Sequence, residues 1–83
     1  MTRPTPSITE RQALEALWPW GNPLGVSPVV ALARTCDVPE KVALRKIEKM
    51  THRGYAEYGV SPWYSWRTPR GEERLRKLKD EAA

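Results

Sequence analysis

Lys41, Arg45, Lys46 and Lys49 recur at three- and four-residue spacing in the stretch PEKVALRKIEKMTHRG, which gathers them on one side of a helix. Cations so arrayed form no catalytic set. They form an electrostatic face that suits a polyanion, and the planar fork of Arg45 adds two parallel donors to it. The placement of charge across the chain reinforces this. Between Pro39 and Arg70 stand seven basic residues (Lys41, Arg45, Lys46, Lys49, Arg53, Arg67, Arg70) against three acidic ones (Glu40, Glu48, Glu57), and the whole net charge of +4 comes from that third.

Other chemistry is poorly supplied. There is no Gly-rich phosphate loop and no nucleophile, base and orienter that could act together, so no catalytic residues are assigned and an enzyme is not expected. One cysteine and one histidine, Cys36 and His52, fall short of the four ligands of a zinc site, so neither metal nor cofactor is expected. Cys36 is expected to pack as a small apolar residue. A single thiol makes no internal disulfide and fits a reducing cytoplasm. No apolar run approaches the ~20 residues of a membrane span, and the N-terminus lacks the apolar core of a signal peptide. The expected location is cytoplasmic, with no membrane partner.

Several elements must position that basic face. Residues 1–7 read as a disordered lead-in, and residues 8–81 as one domain. Thr9 with Gln12 forms a capping box for a first helix, with Ile8 placed to staple onto Ala13. Ala13, Leu14, Leu17 and Trp18 make its apolar stripe, and Pro19 with Trp20-Gly21-Asn22-Pro23 stops it. Trp18 and Trp20 are expected as core and lid. Leu24-Gly25-Val26 reads as a short extended strand. Ser27-Pro28, a capping serine before an N1 proline, opens a second helix to about Thr35.

Asp37 is expected at a left-handed turn, a conformation that a short polar side chain tolerates. The third helix runs from near Pro39 to Arg53, stopped by Gly54, and buries Ala43, Ile47 and Met50. The small Ala43 and Ala33 would let the second and third helices approach closely. Tyr55–Tyr58 and Trp63–Arg67 read as two strands around the turn Gly59-Val60-Ser61-Pro62. Thr68-Pro69 opens a last helix to about Glu81, whose apolar contacts are Leu75 and Leu78.

In this order the chain resembles the winged helix-turn-helix domains of bacterial and phage transcriptional regulators, MarR-like and PadR-like repressors among them. ALARTCDVPEKVALRKIEKM resembles the helix-turn-helix, MTHRGYAEY the passage from recognition helix to first wing strand, and WRTPRGEERLRKL the junction into the last helix, usually Thr-Pro-x-Gly. Together they cover about residues 8 to 80. The expected fold class is therefore α+β: a three-helix core, a small antiparallel wing and a C-terminal helix. Arg67 departs from the pattern, standing where an apolar strand residue is usual, and Trp66 is expected to take over the core role. The wing turn is short, with Pro62 and Trp63 near its tip.

The resemblance implies sequence-specific binding of double-stranded DNA by a regulator of bacterial or phage origin, such as a repressor, as a homodimer or a cooperative array. An excisionase-like recombination directionality factor that bends DNA is the alternative within that class, and a winged-helix protein–protein interaction module the alternative outside it. With the third helix in the major groove, Lys41, Val42, Arg45 and Lys46 are the candidate base contacts, Arg45 fitting the two acceptors of a guanine and Val42 a thymine methyl. Ser27, Lys49, Arg53, Arg67 and Arg70 are the candidate backbone contacts.

Overall fold

The structure, a computed structural model, describes residues 8–21 and 25–82. The expected lead-in 1–7 and Leu24 of the expected first strand lie outside the described residues. In chain order the elements are α1 (Glu10–Ala16), α2 (Pro28–Cys36), α3 (Glu40–His52), β1 (Ala56–Tyr58), β2 (Ser65–Arg67) and α4 (Pro69–Ala82), with a 3₁₀ turn over Pro62–Tyr64. The domain is α+β, four helices and a two-stranded antiparallel hairpin.

Local signals set most of these boundaries. The capping box on α1 is complete: the Thr9 hydroxyl accepts from the Gln12 amide at 3.1 Å and the Gln12 side chain accepts from the Thr9 amide at 2.9 Å. Asp37 ends α2 in the left-handed conformation (φ 53°), and Gly54 follows α3 at φ 79°. Thr68 starts α4 by accepting from the Gly71 amide at 3.0 Å, while its own hydroxyl donates to the Gly54 carbonyl at 2.7 Å. One side chain thus fixes the start of α4 to the end of α3.

The core is the meeting of one apolar stripe from each of the first three helices. Ala13, Leu14 and Leu17 come from α1 and the residue after it, Val29, Leu32 and Ala33 from α2, and Ala43, Ile47 and Met50 from α3. Val38 of the turn, Ala56 of β1 and Leu75 of α4 complete it. Both alanines expected between α2 and α3 are buried, and these two helices pack together more extensively than any other pair. α4 spends its apolar face on α1, with Leu75 buried and Leu78 half-buried.

Five expectations about the hairpin and its surroundings are corrected. Gly25 and Val26 form a bend and not a strand. The residue that extends the sheet is Trp18, in a parallel bridge to Trp66: its amide donates to the Ser65 carbonyl (3.2 Å) and its carbonyl accepts from the Arg67 amide (2.8 Å). Trp63 and Tyr64 leave the returning strand for the 3₁₀ turn, because the Ser61 hydroxyl caps that turn at the Trp63 amide (3.3 Å) and Pro62 fits its first position.

The tip of the hairpin is accordingly Gly59-Val60, not Pro62-Trp63 as expected. Val60 is fully exposed, whereas Trp63 is half-buried against the core. Trp66 does not turn inward. It lies opposite Glu57 and donates Nε1 to that carboxylate at 3.0 Å, while Arg67 keeps the inward register. Trp20, expected as a lid, is half exposed.

Candidate functional site

α3 carries its charge away from a fully buried stripe. At about 100° per residue, Lys41, Arg45 and His52 stand roughly opposite Ala43, Ile47 and Met50. All three are exposed, as is Lys49 beside them. Among the described residues none of Lys41, Arg45 and Lys49 has a carboxylate partner within ion-pair distance. These long side chains form a ridge on a helix whose opposite side is anchored in the core.

The remaining cations are differently placed. Arg67 is buried: Nε donates to Glu72 at 2.7 Å, and one Nη1 donates to the carbonyls of Leu14 at 2.7 Å and Leu17 at 3.0 Å. It closes the C-terminal end of α1, where carbonyls have no helical partner. The side chain expected at the DNA backbone is thus turned into the fold, with Nε and Nη1 both donating inside it.

Ser27 is likewise redirected. It makes no capping bond to α2 and instead donates its hydroxyl to the Trp63 carbonyl at 2.6 Å. The proton expected to serve a phosphate is used within the fold.

Val42 is half-buried against the core, as is Leu44, so neither is a free apolar group on the ridge. Lys46 is half-buried on the flank toward α1, where its charge reaches Glu10. The expected base contacts thus divide: Lys41 and Arg45 occupy the ridge, and Val42 and Lys46 its α1 side.

Arg53, on that same flank, lies 3.5 Å from the Glu10 carboxylate yet stays about half exposed. Arg70 remains exposed, its guanidinium carbon 5.5 Å from the centre of the Tyr55 ring, a cation–π geometry that holds it at the base of the hairpin.

Glu10 is the residue that sequence reasoning missed. It takes Arg74 of α4 through Nε at 2.7 Å and Nη2 at 3.5 Å, and Arg53 through its second oxygen. The hydrogen bond from Arg74 holds the Glu10 carboxyl below its usual range against the opposing effect of burial, and Arg53 and Lys46 add to the same field. At Glu72, burial pushes the carboxyl up, but donation from Arg67 and from the Trp20 amide brings it net below its ordinary value. No local pattern announces the Glu10 pair, because its partner Arg74 is 64 residues away.

A second surface is apolar. Trp18 and Tyr64 stand 5.8 Å apart with rings tilted by 40°, and Trp18 Nε1 donates to the Val26 carbonyl at 2.7 Å. Tyr64 and Val26 are both about half exposed. Beside them a cleft of about 420 Å³ opens between α1 and α2, with Ala16, Trp18, Val26 and Ala31 in its wall together with the polar Gln12, Glu15 and Thr35.

Among the described residues no group of three or more His, Cys, Asp or Glu side chains is placed to hold a metal ion, and no helix is long and apolar enough to cross a membrane. Cys36 is half-buried against the core, as a small apolar residue would be. No protein-family model matches the chain, and no curated protein or solved structure matches it either.

Proposed function

We propose that this chain is a winged helix-turn-helix that binds double-stranded DNA sequence-specifically through the exposed ridge of α3, as a transcriptional regulator of bacterial or phage type. The observation that carries the reading is the clustering of exposed, unpaired cations on one face of α3. Among the described residues Arg34, Lys41, Arg45, Lys46, Lys49, Arg70, Arg76 and Lys79 have no carboxylate within ion-pair distance, and of these Lys41, Arg45 and Lys49 are exposed together on one face of one helix. α2, the Asp37 turn and α3 supply the helix pair, and the hairpin with its Trp18 bridge supplies the wing.

In this reading α3 lies in the major groove. Arg45 offers its fork to guanine O6 and N7, Lys41 reaches a neighbouring base edge, and Lys49 and Arg70 meet phosphates. The test is duplex binding over a salt series. Arg45→Ala and Lys41→Ala are expected to weaken binding by about 1–3 kcal/mol each and to relax sequence preference. Lys49→Ala is expected to weaken all sequences alike and flatten the log–log salt slope by about 0.9. Binding that ignores all three substitutions sinks the proposal.

The exposed Tyr64 and Val26 around Trp18 favour a second reading, a protein-interaction module that uses this apolar surface and not α3. Val42, Leu44 and Trp63 lend it no support, being packed against the core.

A further inference from the structure

Glu10 is surrounded by more positive charge than one carboxylate requires. Arg74 alone satisfies it, through two nitrogens. Arg53 stands at 3.5 Å with its side chain about half exposed, and Lys46 adds its field from the same flank of α3. Three cations around one anion leave net positive charge at the surface. Arg53 meets Glu10 through a single contact at 3.5 Å from a side chain about half exposed, so it can turn to another anion at little cost.

The position of this cluster matters. Lys46 and Arg53 lie about a third of a turn around α3 from the Lys41–Arg45 ridge. When a helix fills a major groove about 12 Å wide, the phosphate strands run along its flanks.

We infer that Lys46, Arg53 and Arg74 form a seat for a backbone phosphate of duplex DNA, and that the Glu10 carboxylate occupies this seat in the free protein and competes with the phosphate for it. This rests on the proposal that α3 enters the groove. Glu10 is then a built-in limit on non-specific affinity: every duplex must displace or tolerate its charge, whatever the base sequence. The ligand is the phosphodiester of a double strand, and the readout is affinity for a mixed-sequence duplex.

The test compares wild type, Glu10→Gln, Arg53→Gln and the double variant on that duplex across a salt series, with melting curves to confirm that each is folded. Glutamine keeps an acceptor for Arg74 while removing the charge. Glu10→Gln is expected to bind about three- to tenfold tighter at low salt, with a slope steeper by about 0.9. Arg53→Gln is expected to bind more weakly, and most of the gain from Glu10→Gln should vanish in that background, since both act on one seat. Unchanged or weaker binding by folded Glu10→Gln, with wild type binding normally, overturns the seat alone. Absence of binding by wild type and Glu10→Gln alike overturns the DNA reading and the seat with it.

Discussion

Gly71→Ala is expected to destabilise the domain by about 3 kcal/mol and to lower its Tm by on the order of 15 °C. In an ordinary helix this change would help, since glycine costs up to about 1 kcal/mol relative to alanine. Here a Cβ would be driven into the Tyr55 carbonyl group, which is main chain and cannot rotate away. That carbonyl is further fixed by accepting from the Thr68 amide at 3.1 Å, and the Gly71 amide is held by the Thr68 hydroxyl. The first turn of α4 can relieve the clash only by lifting off the hairpin, which would loosen Thr68 from Gly54 as well. Thermal melting of the variant checks this. A Tm equal to that of wild type would show that α4 does not dock on Tyr55 this way.

Arg67→Met is the second large loss, about 3–5 kcal/mol. Methionine preserves the apolar stem and removes only the guanidinium, so the cost isolates the polar contacts. The carbonyls of Leu14 and Leu17 would lose their donor inside the protein, and Glu72 would keep only the Trp20 amide. Each buried group left unpaired costs about 1–3 kcal/mol. Arg67→Lys should rescue little, because one ammonium cannot span both carbonyls and the Glu72 carboxylate. Denaturant unfolding measures both. If methionine proves neutral, then the end of α1 is satisfied by some other donor and the role of Arg67 is wrong.

These two residues also mark where sequence reasoning reached its limit. The features it resolved depend on neighbours a few residues apart: the Thr9–Gln12 box, the left-handed Asp37, the Gly54 stop, the Thr68-Pro69 start and the buried stripe of α3. Each is decided by local backbone geometry or by a helical period. Arg67 is turned inward because two of its three partners, the carbonyls of Leu17 and Leu14, lie 50 and 53 residues away and become partners only once the end of α1 meets β2; Glu72, five residues on, is the one local partner. The Trp18 bridge arises in the same way, since nothing near Trp18 announces a strand. Trp63 had a readable signal that aromatic β-propensity masked. Ser61-Pro62 repeats the cap-plus-proline pattern of Thr68-Pro69, and it starts the 3₁₀ turn that carries Trp63 inward. Ser27-Pro28 shows the converse: the helix begins where the pattern says, yet its hydroxyl bonds across the fold to Trp63.

At the candidate interface, the ridge of Lys41, Arg45 and Lys49 was legible from spacing alone. Which cations remain unpaired was not, because pairing depends on where Glu10 and Glu72 arrive in three dimensions. In the tertiary structure Arg67 is turned into the fold, and Lys46 and Arg53 stand on the flank toward Glu10 and Arg74.

The most direct test of the central claim is a titration of isotope-labelled protein with a mixed-sequence duplex, following backbone amide shifts residue by residue. Binding through the α3 ridge gives the largest changes at Lys41, Arg45 and Lys49, with smaller ones at Arg53 and Arg70, all shrinking as salt is raised. Changes confined to Trp18, Val26 and Tyr64, or none at all, would contradict it.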